Sequence, residues 1–277
     1  MIRRLVRKAW DATEAMLDNR LGRPVLRVLS GFAIRLQSRG LIRVHWDGAW
    51  WYHWPEGVVV SDRALITRAR PQDGARYFTW DYQPQDGDTV IDIGAGVGEQ
   101  LHGYVGDVGP SGRVIAVEAH PRLCELLERL CEANGWQNVQ VMNAAITDAP
   151  GTVSLTDERI SIANDIFRQG TIDVPAMPLS QLLDDCGVDH VDFLKMNIEG
   201  AETLVLESVD PPLAQRLRHI VISCHDFIGR PTKAPVRQRL QTLGYDVKEY
   251  PEPTKFVSVS DFLYASRGAA ARDTSVG

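Results

Sequence analysis

The stretch VIDIGAGVGEQ, residues 90–100, sets the tightest limit on how this chain can fold. Apolar residues and one acid, Asp92, run into the cluster Gly94-Ala95-Gly96-Val97-Gly98, as happens where a buried parallel strand ends in a tight loop and a helix begins. The same strand signal recurs in RVIAVEA, VQVMNAAI, VDFLKMNI and HIVISCH, with helical segments near 99–105, 121–134, 179–185, 201–208 and 233–243. Such alternation implies an α/β fold built on a mostly parallel sheet, whose right-handed crossovers put helices on both faces. GYDVKEY and SDFLYAS are joined too tightly for a helical crossover and are expected to form an antiparallel pair at one sheet edge. GTVSL reads as a short extra strand, and TDERISIANDIFRQGTIDV, with weak periodicity, as a mobile loop or lid.

The chain before this sheet has a different character. Residues 1–43 hold ten Arg and Lys against Asp11, Glu14 and Asp18, a charge of +7, whereas the rest carries 20 basic and 33 acidic residues, or −13. Ile2, Leu5, Val6, Ala9, Trp10, Met16 and Leu17 fall at helical spacing, and Pro24 to Gln37 reads as a second helix. The first helix is expected to pack on its own acidic domain, with an anionic membrane surface as the competing partner. In LIRVHWDGAWWYHWPEGVVV the period changes, and Asp47-Gly48 predicts a hairpin with a two-residue turn. That register puts Arg43, His45, Trp50, Tyr52 and Trp54 on one face, and Val44, Trp46, Ala49, Trp51 and His53 on the other. One face is expected to pack on the core; for the other, burial competes with a stacking platform for a sugar ring. The expected organisation is an N-terminal helical and hairpin extension over 1–80, a Rossmann-like domain over 81–267, and a disordered tail over 268–277.

Several classes are disfavoured. No window is long and apolar enough to span a membrane, and MIRRLVRKAW lacks the pattern of a secretory signal, so a soluble cytoplasmic protein is expected. Cys124, Cys131, Cys186 and Cys224 form no CxxC or zinc-type spacing. A global basic footprint for nucleic acid is missing, and no signal points to a particular oligomeric state.

In the dinucleotide fingerprint GxGxxG, the third glycine lets the helix approach the strand with its N-terminus facing a pyrophosphate. Here that position is Glu99. A carboxylate there repels a pyrophosphate and suits a cationic ligand such as the sulfonium of S-adenosylmethionine. No Lys-Ser/Thr follows the glycines, so a P-loop is disfavoured. Twenty-two residues after Gly96, the second strand ends in Glu118, which can accept both hydroxyls of a ribose. A ribose is common to adenosylmethionine and NAD; Glu99 and the Asp92 strand end tip the balance toward adenosylmethionine.

With these residues in view, the chain over 82–267 resembles the FkbM-type methyltransferases, which are Rossmann-like, adenosylmethionine-dependent and mostly O-methylating. The resemblance rests on VIDIGAGVGEQ, VIAVEAHP, NAAITDAPGTVSL, VPAMPLSQLL and above all DFLKMNIEGAETLVLES. It implies the class I methyltransferase fold, with a mostly parallel seven-stranded sheet and an antiparallel edge strand. It also implies adenine contacts at Asn143-Ala144-Ala145, near Thr147. With Asp92, Gly94, Gly96, Glu99, Glu118, Ala119 and Asn197, these complete the expected cofactor site. The family generally carries Asp where this chain has Asn197, which puts a general base at that position in doubt.

Ligands of an open parallel sheet gather at the carboxyl ends of its strands. The catalytic candidates there are Lys195, Asn197 and Glu199, then His225 and Asp226. His225 is the first choice for taking the acceptor proton, with Asp226 orienting it. The competing arrangement is a magnesium site of Asn197, His225 and Asp226 that acidifies the acceptor hydroxyl. Lys195 alternatively serves as a strut paired with a carboxylate such as Glu199, and Glu202 as a helix N-terminal carboxylate. The expected acceptor is a hydroxyl on a sugar, glycan, glycolipid or polyketide-like natural product. An NAD-linked oxidoreductase and a non-catalytic adenosylmethionine-binding protein are the alternatives.

Overall fold

The computed structural model describes residues 2–37, 42–65, 77–155, 170–224, 231–250 and 261–268. Helices α1 (Ile2–Leu17) and α2 (Arg23–Gln37) form an N-terminal pair. The Asn19 carboxamide closes the turn between them by accepting from the backbone N–H groups of Leu21 and Gly22. Trp10 Nε1 donates to the Ala64 carbonyl. The buried Glu14 accepts from Ala64 N and pairs with Arg63, which also holds Asp11. The first helix is therefore docked on its own chain.

Strands β1 (Arg43–Trp46), β2 (Trp50–Trp54) and β3 (Gly57–Ser61) form an antiparallel sheet in that order. The hairpin forms where expected but with another register. Trp46 pairs with Trp50, so the connection is the three residues Asp47-Gly48-Ala49, closed by Asp47 N–H donating to the Ala49 carbonyl. One residue of slip exchanges faces: Val44, Trp46, Trp50, Tyr52 and Trp54 share one, and Arg43, His45, Trp51 and His53 the other. The first face packs against Leu26 and Ile34 of α2. On the second, Trp51 joins Val58 and Val60 in the core cluster of the main domain. Trp50, Trp51, Tyr52 and Trp54 are buried in these contacts, which favours burial on both sides over the stacking platform, while Arg43 is exposed and His45, Trp46 and His53 are half-buried.

Next come β4 (Thr89–Ile93), α3 (Leu101–Val108), β5 (Arg113–Glu118), α4 (Pro121–Asn134) and β6 (Val139–Asn143). The chain continues through β7 (Ala145–Thr147), β8 (Gly151–Leu155), β9 (Ile172–Pro178) and α5 (Leu179–Asp185). It completes with β10 (Val191–Met196), α6 (Glu202–Glu207), α7 (Pro211–Gln215), β11 (Leu217–Ser223), α8 (Lys233–Thr242), β12 (Asp246–Glu249) and β13 (Phe262–Ser266). The seven-stranded sheet runs β12-β13-β11-β10-β4-β5-β6. Its neighbours are parallel except at β13, which is antiparallel to β11 and β12. The late pair thus lies at the sheet edge as expected, with the reversed strand one place in from the margin.

A third sheet, β7-β9-β8, departs from the sequence reading. VQVMNAAI is two strands, because the chain leaves the main sheet at Ala144. Residues 172–174, read as part of the loop, open β9; residues 156–169 of that loop lie outside the described residues, as do 269–277 of the tail. Pro175 and Pro178 hid β9, since proline inside a strand argues against one. Val174 and Ala176 nevertheless alternate inward onto Ala145 and Leu155.

The N-terminal sheet is tied to the main domain by α4. Asn134 presents its Oδ1 to the Val58 N–H at 2.8 Å and donates from Nδ2 to the Val58 carbonyl at 3.0 Å. Among the described residues, no helix is long and apolar enough to cross a membrane.

Candidate active site

The parallel strands end in a cleft with about 890 Å³ of empty space, open mouth included. Its floor is the loop after β4. The Gly94 and Ala95 N–H groups donate to the Val117 carbonyl at 2.9 and 3.1 Å, which binds the loop to the neighbouring strand. Gly94 has φ 75°, and a Cβ there would run into the Asn197 carbonyl at the end of β10. Gly96, also at positive φ, faces open space, so a ligand can approach its backbone.

Beneath the loop lies a buried ion pair. Lys195 Nζ, on β10, is 2.7 Å from Asp92 Oδ1 on β4 and donates to the Gly94 carbonyl at 2.7 Å. Asp92 and Lys195 are 0% and 1% exposed, and neither lines the cleft. The strut reading of Lys195 thus acquires a different partner: Asp92, directly across the sheet, rather than Glu199.

Glu118 ends β5 with both carboxylate oxygens anchored. Oε2 accepts from Gly96 N–H at 2.8 Å and Oε1 from His120 N–H at 2.9 Å. Each oxygen keeps a lone pair for a ligand hydroxyl. Burial raises the Glu118 carboxyl above the usual carboxylate range, opposed by those two hydrogen bonds and by Lys195. Glu99 lines the same cleft, open to its solvent yet surrounded by protein on most sides. Its carboxyl is also raised, by desolvation first and then by Asp62.

Of the residues expected to contact the cofactor, Ala119, Ala144 and Ala145 line the cleft. Asn143 does not. Its Nδ2 donates to the Glu118 and Ala119 carbonyls at 3.0 and 2.8 Å, so it fixes the loop that carries Glu118. Thr147 lies outside the lining too, donating to the Ala149 carbonyl. Asn197 does line the cleft, and its Oδ1 is buried without a hydrogen-bond partner among the described residues. Such an orphaned acceptor fits a donor on a bound ligand.

Glu199, a strand-end candidate in the sequence, has a conformation that the sequence reading does not anticipate. It lines the cleft with φ 51°, the left-handed region that a side chain rarely adopts. Sequence carries no direct mark of that conformation except the following Gly200. Glu202 opens α6, fully buried, and accepts from the Gly200 N–H. His225 and Asp226 follow Cys224 directly in sequence and lie outside the described residues, so the base and the magnesium set reach the structure only through Asn197.

The model of the methyltransferase FkbM domain matches residues 92–247, more than half of the chain. The chain belongs to the FkbM methyltransferase family. This assignment makes the chain a methyltransferase and leaves the oxidoreductase alternative without support. "Methyltransferase sdnD" of Sordaria araneosa is 22% identical over 193 residues, 57% of this chain and 73% of that protein. A solved FkbM methyltransferase from Methylobacillus flagellatus is 19% identical, with a TM-score of 0.47 over 71% of this chain; this chain spans half of its length. The Aeropyrum pernix fibrillarin, solved with S-adenosyl-L-methionine, is 14% identical with a TM-score of 0.42, over 81% of this chain and 97% of its own. Likeness at that level adds nothing to the family assignment.

Proposed function

We propose that this FkbM methyltransferase transfers a methyl group from S-adenosylmethionine to a hydroxyl of a sugar, glycan, glycolipid or polyketide-like natural product. The observation that carries the reading is the charge of the cleft: its described lining holds three carboxylates, Glu99, Glu118 and Glu199, and no basic side chain. Such a wall disfavours a phosphate or pyrophosphate and favours a cationic donor. Glu118, preset by Gly96 and His120, is suited to the ribose diol. The apolar wall of Ala144, Ala145 and Ile146 is suited to a flat base, and Asn197 Oδ1 to a ligand N–H or O–H.

When bound, adenosylmethionine supplies a methyl group already activated by its sulfonium. The chain then has to align an acceptor oxygen and remove its proton. Lys195 is a positioning residue in this scheme: it holds Asp92 and the Gly94 carbonyl, and through them the loop. His225 takes the acceptor proton and Asp226 orients it.

The test is a screen of hydroxylated acceptors with isotopically labelled methyl donor, scored by mass spectrometry. A product labelled on oxygen is expected; label on nitrogen or carbon overturns the O-methylation reading. In the same assay His225→Ala lowers turnover by about two to four orders of magnitude with adenosylhomocysteine affinity retained. Unchanged turnover removes His225 as the base. Loss of activity with EDTA and recovery with magnesium transfers proton removal to a metal site containing Asn197.

A further inference from the structure

Helix α2 is apolar on two opposite faces. Leu26, Ser30 and Ile34 are fully buried against the N-terminal sheet. Val25, Val28, Leu29 and Phe32 fall within an arc of about 100° on the other side at the helical repeat, and all four are exposed, Val28 at 62% and Phe32 at 61%. Leu21 at 87% and Met16 at 70%, in and just before the α1–α2 turn, are exposed as well. A helix at a protein surface ordinarily turns a polar face outward, and one that is apolar all round is covered.

The surrounding charge selects the cover. All three acids of residues 1–43 are held in ion pairs: Asp11 and Glu14 with Arg63, and Asp18 with Arg23. Lys8, Arg20, Arg27 and Arg35 are exposed on the same pair of helices and their turn, and Arg35 falls at the margin of the apolar arc by the helical repeat. The segment therefore presents a hydrophobic stripe within a positive field. A second copy would bring one +7 segment against another, a like-charge contact that opposes self-association. An apolar stripe edged by arginines matches the interface of an anionic bilayer, where aliphatic and aromatic side chains enter the acyl boundary and cations meet headgroups.

We infer that the outer face of α2, with the α1–α2 turn, docks this methyltransferase onto membranes rich in anionic lipid, lying in the interface without spanning it. The inference is independent of the acceptor and of the proton-removing group.

The test is co-sedimentation of the full chain with vesicles of phosphatidylcholine, with or without phosphatidylglycerol. Binding to the mixed vesicles is expected, at least about tenfold stronger than to phosphatidylcholine alone, and falling as salt rises. Val28→Glu with Phe32→Glu should weaken it by at least about tenfold. Arg20→Glu with Arg27→Glu and Arg35→Glu should erase the preference for anionic lipid. These positions are exposed, and adenosylhomocysteine binding with an unchanged melting curve verifies that each variant is folded. Absent binding to mixed vesicles, or equal binding by the Val28/Phe32 variant, overturns the inference. A lipid-free dimer in analytical ultracentrifugation, dispersed by Val28→Glu with Phe32→Glu, assigns the face to a second copy and overturns it as well.

Discussion

The glycine loop at the head of the parallel sheet and the aromatic hairpin at the N-terminus are both largely buried, yet they are specified in different ways. The loop is fixed by unlike, specific pairings: a lysine with an aspartate and a carbonyl, a glycine against a carbonyl, a carboxylate on two N–H groups. The hairpin is held by bulk. Tryptophans occupy both of its faces, and a shift of one residue exchanges one set of large rings for another. Polar complementarity gives a site with little tolerance, whereas a two-sided aromatic sheet leaves register to the turn and to the surfaces packed around it.

The largest expected effect tests the intolerance of the loop. Lys195→Met leaves Asp92 buried without a counter-charge and should cost about 3–5 kcal/mol in denaturant unfolding. Adding Asp92→Leu should restore most of that stability while donor binding stays weak, because the Gly94 carbonyl has lost its clamp. Recovery of both would mean that the pair sets stability alone.

The hairpin supplies the second test. Trp51→Ala should cost about 3 kcal/mol and lower the single transition of the whole chain, because Trp51 shares its core with the main domain. A separate early transition, with the main one unmoved, would make the extension an independent unit.

Gly96→Ala gives a smaller effect that separates folding from binding. A methyl group in the left-handed region costs about 1–2 kcal/mol, but no neighbour is displaced by it. Calorimetry with adenosylhomocysteine should show a loss of affinity larger than the loss of stability. Equal losses would mean that the ligand does not approach this backbone.

The smallest effect concerns Glu99. Because its carboxyl is raised, it is neutralised earlier than an ordinary carboxylate as pH falls and is ionised above its own raised value. Preference for the sulfonium of adenosylmethionine over the neutral thioether of adenosylhomocysteine should therefore shrink on mild acidification. With solvent screening the change is no more than about fivefold. Glu99→Gln should flatten that dependence.

Much of this was legible in the sequence where one pattern forces one geometry. VIDIG and VIAVEA are continuous apolar runs ending in turn residues, and they emerge as adjacent strands delivering Gly96 and Glu118 to one cleft. Ala144 and Ala145 line the cleft, whereas Asn143 does not. Position along a strand end tells which residues are near, but side-chain direction depends on competing acceptors, here the Glu118 and Ala119 carbonyls. Likewise, Lys195 finds its partner across the sheet, a relation decided by strand order and register rather than by spacing along the chain. The conformation of Glu199 and the strand through Pro175 are imposed by tertiary context, which overrides local preference in both places.

The amide of Asn134 has a consequence for solubility. Strand β3 is the outermost strand of its sheet, and an outermost strand exposes main-chain groups that can recruit another chain into a growing ribbon. At Val58 one carboxamide occupies the N–H and the carbonyl together, imitating the neighbour that the strand lacks. With His102 on the same carbonyl, the two flanking helices thereby supply a stop that blunts one margin of an unusually aromatic sheet against templated aggregation.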